Sequence, residues 1–404
     1  MVEATAASAS EAERLLTHLA HALAEAGCPS HRLERALETA ARRLQVPLVV
    51  LAQPTSLSMA FGPEPAQRVV LMRLEPSGQD LGRLSAVDLI LADVVEGRLA
   101  TPDALAALAR ARGRPYRWSL ASRALAHVGL AGASAVLVDG TAGEVVISAL
   151  IGGLLASFDR VLRAQPGMER LRRPVGAFLA ATVAMLAVRE GWSLDPMRVV
   201  VCGAIVLLPG LALTVGWIEV AAGHLASGTH RVAGALLALF ELVIGVAAAE
   251  AVVAGGFDAK GGAQPLPMLA APVAVVAASF ALSVLLNARR RDVPWLMVSC
   301  AVAWLGARFA APLGPALGAG VASFGVGLYA NLWGHWARRT VIVPMVPGVL
   351  LLVPGAVGFR SVAALLSGDV LPGVSLLFGM GLAAGSLAAG LLLASALAGP
   401  TWRV

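Results

Sequence analysis

The chain has 404 residues, 58% of them hydrophobic and 14% charged, with a formal net charge of +6. Soluble domains carry roughly 25% charged residues, so the composition excludes a wholly soluble protein. The positive balance is no nucleic-acid footprint either, because arginine supplies nearly all of it from loops flanking apolar runs, where it sets membrane topology.

The shortage of charge is uneven. Residues 1–117 carry Arg, Glu and Asp throughout and read as a small aqueous α+β domain. Residues 118–256 and 265–404 are dominated by apolar runs and read as two membrane repeats. The first 40 residues lack a basic segment followed by an apolar core, so the N-terminal domain is expected in the cytoplasm. Leu15, Leu16, Leu19 and Leu23 recur at helical spacing, and Gly27 and Pro29 end that helix. Ser30 stands where it would cap a second helix running to about Leu44. Val46–Ala52, Ser56–Phe61 and Arg68–Leu74 are short and β-rich, separated by turns at Pro54, Gly62-Pro63 and Pro76-Ser77-Gly78. Leu81–Glu96 returns to helix, and Thr101 caps another with Pro102 at its first position. The pattern predicts helices on one face of a three-stranded sheet.

His18, His21, Cys28 and His31 follow no zinc spacing and are expected as exposed or capping residues, with no metal. Cys28, Cys202 and Cys300 lie far apart, and the latter two fall in apolar helices where a thiol packs. No nucleophile–base pairing and no cofactor motif stands out, which argues against an enzyme. A membrane-anchored enzyme or sensor built on residues 1–117 remains a rival without a catalytic constellation.

Beyond residue 117 ten spans are predicted, five in each half: about 120–138, 142–159, 174–190, 198–217 and 230–254, then 268–287, 293–307, 313–335, 341–359 and 371–397. With the N-terminus inside, the inner loops hold Arg160, Arg163, Arg170, Arg172, Arg173, Arg231, Arg289, Arg290, Arg291, Arg338 and Arg339. The outer loops hold only Arg189, Arg198, Lys260, Arg308 and Arg360, a bias of the expected sign. It also leaves the C-terminus in the cytoplasm. Five spans is an odd number, so the second half enters the membrane inverted relative to the first. The resulting 5+5 inverted repeat is an architecture suited to alternating access.

A duplicated string supports that pairing. Gly203-Ala-Ile-Val-Leu-Leu-Pro209-Gly210 returns 145 positions later as Gly348-Val-Leu-Leu-Leu-Val-Pro354-Gly355. Pro removes a backbone donor and Gly loosens the helix, near the middle of spans 4 and 9. Backbone groups freed there must face protein, water or substrate, which makes Gly203, Pro209, Gly210, Gly348, Pro354 and Gly355 candidate binding or gating residues. Thr214, one turn past the first break, would satisfy a freed carbonyl or meet substrate. Asn331, deep in span 8, would bridge helices or ligate substrate. Glu241, about halfway along span 5, is the leading proton-coupling candidate, because a carboxyl inside a span must be protonated, paired or wet. Glu219 is the second, its alternative role being an interfacial pair with Arg231. His127 is expected as a core histidine, and Arg360 as a residue snorkelling to the interface. Gly314-xxx-Gly318 and Gly381-xxx-Gly385 permit close helix packing and leave a homo-oligomer open.

Several stretches together resemble the threonine/serine exporter family. They are Leu207-Leu-Pro-Gly-Leu-Ala-Leu-Thr214, Glu219, Ser227-Gly228 with Arg231, Gly27-Cys-Pro-Ser-His-Arg-Leu-Glu34, Asp80-Leu-Gly-Arg-Leu84, Leu352-Val-Pro-Gly355 and Ser367-Gly-Asp369. The resemblance covers nearly the whole chain. It implies a cytoplasmic α/β domain, ten spans in the inner membrane, and proton-driven export of small hydrophilic metabolites, threonine or serine foremost. Val215 after Thr214 and Ile218 before Glu219 depart from the family pattern, and a dicarboxylate such as succinate stays open as the cargo.

Overall fold

The computed structural model describes residues 10–74, 78–113, 116–165, 167–253, 264–267 and 269–398. The Lys260 loop charge and the Pro76-Ser77 part of the predicted turn lie outside the described residues.

Helix α1 (Glu11–Glu25) opens with a capping box between Ser10 and Glu13, and buries Leu15, Leu16, Leu19 and Leu23 completely. Helix α2 (Ser30–Leu44) ends on Gln45 in the left-handed region at φ 55°. Strands β1 (Leu48–Ala52), β2 (Ser56–Phe61) and β3 (Arg68–Arg73) form an antiparallel meander in which Met59 pairs with Val50 on one side and Val70 on the other. Period-two alternation turns Leu57, Met59 and Phe61 into the core, where they are covered by helices that include α3 (Leu81–Val95). Val49, Leu51, Val69 and Leu71 are exposed on the other face. Helix α4 (Thr101–Arg112) starts one residue earlier than predicted, with Ala100 at the cap and Thr101 already helical.

The apolar part consists of α5 (Leu120–Leu137), α6 (Ala142–Arg163), α7 (Arg172–Arg189), α8 (Pro196–Gly203), α9 (Gly210–Ala221), α10 (Leu225–Val253), α11 (Ala270–Leu285), α12 (Val293–Phe309), α13 (Pro315–Ala337), α14 (Ile342–Leu352), α15 (Gly355–Leu366) and α16 (Val370–Ala398). Among the described residues seven stretches are long and apolar enough to cross a bilayer, and the bent pair α8–α9 makes eight. Helices α11 and α12 are apolar but only 16 and 17 residues long. At ~1.5 Å per residue each is about 25 Å, somewhat short of a ~30 Å hydrocarbon core.

Helix pairs recur between the halves. Helix α5 packs on α6, α7 on α10 and α9 on α10; α11 packs on α12, α13 on α16 and α15 on α16. Across the halves, α5 lies against α11, α9 against α16 and α10 against α15. Single residues repeat as well. A Cβ on Gly245 of α10 would collide with the Pro174 carbonyl and stand 3.0 Å from Phe178 N. One on Gly390 of α16, 145 positions on, would collide with the Gly320 carbonyl and stand 2.9 Å from Phe324 N. Both glycines let α10 and α16 close onto a neighbouring backbone.

The N-terminal layer is no loose appendage. Its core runs without interruption into Leu296 of α12, Trp333 of α13, and Ile342, Val343 and Val346 of α14. The Leu81 N–H donates to the Leu286 carbonyl at 2.9 Å, Asn287 Nδ2 donates to Asp80 at 2.9 Å, and Trp118 Nε1 donates to the Ala288 carbonyl at 3.0 Å. Connections α9–α10, α11–α12 and α13–α14 therefore all meet this layer. Elsewhere, the buried Glu144 at the start of α6 accepts from Arg198 Nη1 at 3.0 Å and from the Asp195 N–H at 2.8 Å. The Leu266 N–H donates to the Gly140 carbonyl at 3.1 Å, so these loops gather at a second point.

Candidate functional site

The two Pro-Gly strings adopt one conformation. Leu208 is extended at φ −67°, ψ 132°, and Val353 at φ −65°, ψ 132°. Pro209 follows at φ −81°, ψ 34°, and Pro354 at φ −80°, ψ 28°. Each proline then accepts the first bond of a new helix, Leu213 N–H to the Pro209 carbonyl at 3.1 Å and Gly358 N–H to the Pro354 carbonyl at 3.0 Å. The first break bends its helix pair by 59°. Pro347, inside α14, further deprives the Val343 carbonyl of its helical donor.

The breaks touch. A Cβ on Gly355 would stand 3.3 Å from Gly210 Cα, and one on Gly210 would overlap Val353 Cγ1. Helices α9 and α15 both begin here, so two N-terminal ends adjoin, each with amides that find no acceptor in their own helix. Gly203 sits against Ile151 of α6, and Gly348 against Ser299 of α12, whose buried Oγ has no hydrogen-bond partner.

Thr214 is fully buried on α9 and its Oγ1 has no partner, so it does not take up a freed carbonyl. Asn331 on α13 is 3% exposed and its Nδ2 is equally unpartnered. Such buried polar atoms are costly unless something else meets them.

The two carboxylates lie elsewhere. Glu219, at the far end of α9, is fully buried and fully engaged: it accepts from Ser227 Oγ at 2.6 Å, Arg231 Nε at 2.9 Å and the Ser30 N–H at 3.0 Å. The pair with Arg231 is the one the spacing allowed. The contact with Ser30 was not foreseen, and it corrects the N-terminus of α2. Pro29, not Ser30, is the cap residue and offers no side-chain oxygen, so Glu219 caps the helix from 189 residues away. Glu241 is half-buried and pairs with Arg173 Nη1 at 3.2 Å. Arg173 is the second residue of α7, so Glu241, about halfway along α10 as expected, lies level with an end of that helix and is paired there. His127 is buried with Nδ1 2.8 Å from the Arg123 carbonyl, and Arg360 is exposed.

The residues the sequence left out are on the first turn of α2. Ser30 reaches α9, and Arg32 Nη2 stands 4.0 Å from Met345 Sδ on α14. This turn therefore touches α9, which runs from the first break, and α14, which runs to the second. No carboxylate pairs with Arg32 among the described residues, and burial pushes its guanidinium down to about 10. Next to it, burial and the Arg32 charge push the His31 imidazole down to about 3, and its ring lies 6.1 Å from that of His224. His18, His21, Cys28 and His31 are not gathered; His21 Nδ1 faces Glu25 at 3.3 Å and Arg112 at 3.0 Å.

Comparison with known proteins decides the family. The profile described as "Putative threonine/serine exporter" matches residues 14–253, and that described as "Threonine/Serine exporter, ThrE" matches residues 271–397. The chain belongs to the threonine/serine exporter family. The two profiles divide it where the duplicated halves meet, and the first takes in the N-terminal layer as well. The chain is also similar to the "Probable threonine/serine exporter" of Mycobacterium tuberculosis (strain ATCC 25618 / H37Rv), at 26% identity over 350 residues. That match covers 82% of this chain and 65% of the relative's length. No solved structure matches. With seven to eight stretches among the described residues apolar and long enough to cross a bilayer, this member of the exporter family is a multi-pass membrane protein.

Proposed function

We propose that this chain is a secondary transporter that exports small amino acids such as threonine or serine from the cytoplasm across the inner membrane. The observation that carries the reading is the contact between Gly210 and Gly355, which joins the N-terminal ends of α9 and α15. Two such ends favour a carboxylate, while the carbonyls that end α8 and α14 favour an ammonium. A zwitterion fits both. Thr214 and Asn331 add unpartnered polar atoms for a side-chain hydroxyl. The shared dihedrals of the two breaks and the recurring helix pairs support ten spans arranged as a 5+5 inverted repeat, with α11 and α12 crossing in spite of their length. Convergence of three predicted inner loops on the N-terminal layer supports its cytoplasmic position.

In this mechanism the breaks form the cargo site, and the first turn of α2 closes its cytoplasmic side between α9 and α14. Arg32 meets the carboxylate of incoming cargo there. It would serve a second carboxylate too, which keeps a dicarboxylate as the competing cargo. Proton coupling resides in the Glu241–Arg173 pair: a proton on Glu241 releases Arg173 and loosens α7 from α10. Glu219 holds the closing turn in place.

The test is efflux from preloaded proteoliposomes with labelled amino acids and dicarboxylates, with and without a proton gradient. Threonine or serine efflux that rises with the gradient is expected. Selective movement of dicarboxylates would replace the cargo, and no movement under any gradient would overturn the transporter reading. With Glu241→Gln, expression should persist while flux stops responding to the gradient; an unchanged response would remove Glu241 from coupling.

A further inference from the structure

A separate feature lies where the N-terminal layer meets the membrane helices. Arg117, Arg289, Arg290 and Arg291 line a cavity of about 730 Å³. Four cationic side chains around one space repel each other, and of the nearby acids only Asp292 approaches one of them, Arg291. Asp292 is taken by Arg339 at 3.0 Å and stands 3.9 Å from Arg291. Asp80 accepts from Asn287 Nδ2 and from the Arg83 N–H.

Arg289 departs furthest from an ordinary loop arginine. It is 8% exposed, and its buried Nε has no acceptor. Burial, and then the charge of Arg291, push its guanidinium down to about 10. A loop arginine that only set topology would turn to water. The surroundings are also fixed: the Arg117 N–H donates to Asn287 Oδ1 at 3.0 Å, and Arg290 lies over the Trp118 ring at 5.4 Å.

We infer that this pocket binds a phosphate-bearing anion, supplied either by the headgroup of an anionic phospholipid or by a soluble phosphate compound. A phosphate offers several oxygens and more than one charge to planar forks that a single carboxylate would leave half empty. Trp118 lies two residues ahead of α5, tryptophan favours the headgroup level, and basic pockets on the cytoplasmic face of membrane proteins hold such groups. The anion would tie α5 to the α11–α12 connection beside the Asp80–Asn287 contact, and so stabilise docking of the N-terminal layer.

The experiment is thermal unfolding of the purified full-length protein in neutral detergent at constant ionic strength. Phosphatidylglycerol, phosphatidylcholine and inorganic pyrophosphate are titrated separately. A ligand present well above its Kd should raise Tm by about 3 °C or more. A rise with phosphatidylglycerol alone supports the pocket with a lipid source. A rise with pyrophosphate as well supports it with a soluble source. Both rises must vanish in R290Q/R291Q, whose side chains are exposed and which gives up only the Arg290 contact with the Trp118 ring and the long Arg291–Asp292 approach. Should that variant not fold, R289K keeps the charge while removing the planar fork, and should weaken binding about tenfold. An equal rise with phosphatidylcholine, no rise with either anion, or a rise undiminished in the variants overturns the inference.

Discussion

Replacing Gly210 by alanine sets a methyl against Val353 Cγ1, with Val353 Cβ only 3.2 Å away. Val353 is β-branched and stiff about χ1, so it cannot swing aside cheaply. Overpacking of this kind costs about 1–3 kcal/mol. Alanine regains up to about 1 kcal/mol over glycine in a helix, which leaves up to about 2 kcal/mol against the arrangement in which the breaks face each other. At 1.4 kcal/mol per decade, that is a shift of up to about 30-fold away from this state. Gly355→Ala makes a milder contact, 3.3 Å from Gly210 Cα, and should shift the balance by less than about 5-fold. The related G210A/V353A variant removes the colliding methyl and should recover most of the lost flux. The assay is initial efflux from proteoliposomes at matched protein density. If Gly355→Ala impairs flux as much as Gly210→Ala, or if Val353→Ala gives no rescue, the facing of the two breaks plays no part in the transport cycle.

Three further outcomes test the surroundings of the site. Thr214→Val removes a buried hydroxyl with no partner, so stability should stay within about 1 kcal/mol or improve while KM for threonine or serine rises; an unchanged KM removes Thr214 from cargo contact. Glu219→Ala strands Arg231 and uncaps α2, and the partial exposure of Arg231 limits the cost to about 2–4 kcal/mol. Protease should then cut the N-terminal layer faster in the intact protein, and an unaltered cutting rate would deny Glu219 its holding role. The His31 imidazole is held far below its unfolded value, so the unfolded chain binds the extra proton and His31 costs stability as pH falls from about 6.5 toward 3. His31→Gln should therefore lose less Tm than wild type between pH 7 and pH 5; an equal loss would mean that the imidazole is not kept neutral.

Much of the architecture follows from local signals. Capping residues, apolar periodicity and Pro/Gly punctuation put fifteen of the helix and strand segments close to their predicted places, because each is set by neighbours within a few residues. The Ser30 cap failed for the same reason. A serine next to a helix start is a local cue, and a carboxylate from α9 displaced it. Glu241 shows a related limit: its place about halfway along α10 could be counted, but its partner Arg173 on α7 could not.

By itself, then, the sequence determined that this is a polytopic helical membrane protein with a duplicated Pro-Gly string, which breaks a helix at Pro209-Gly210 and again at Pro354-Gly355. Composition and backbone chemistry suffice for that, since bilayer crossing and proline breaks act residue by residue. Only the tertiary structure decided that the breaks touch, that Glu219 is spent on α2, that Arg32 is buried against α14, and that four loop arginines line one cavity. Those facts depend on which distant surfaces meet, and no periodicity along the chain records the packing that brings them together.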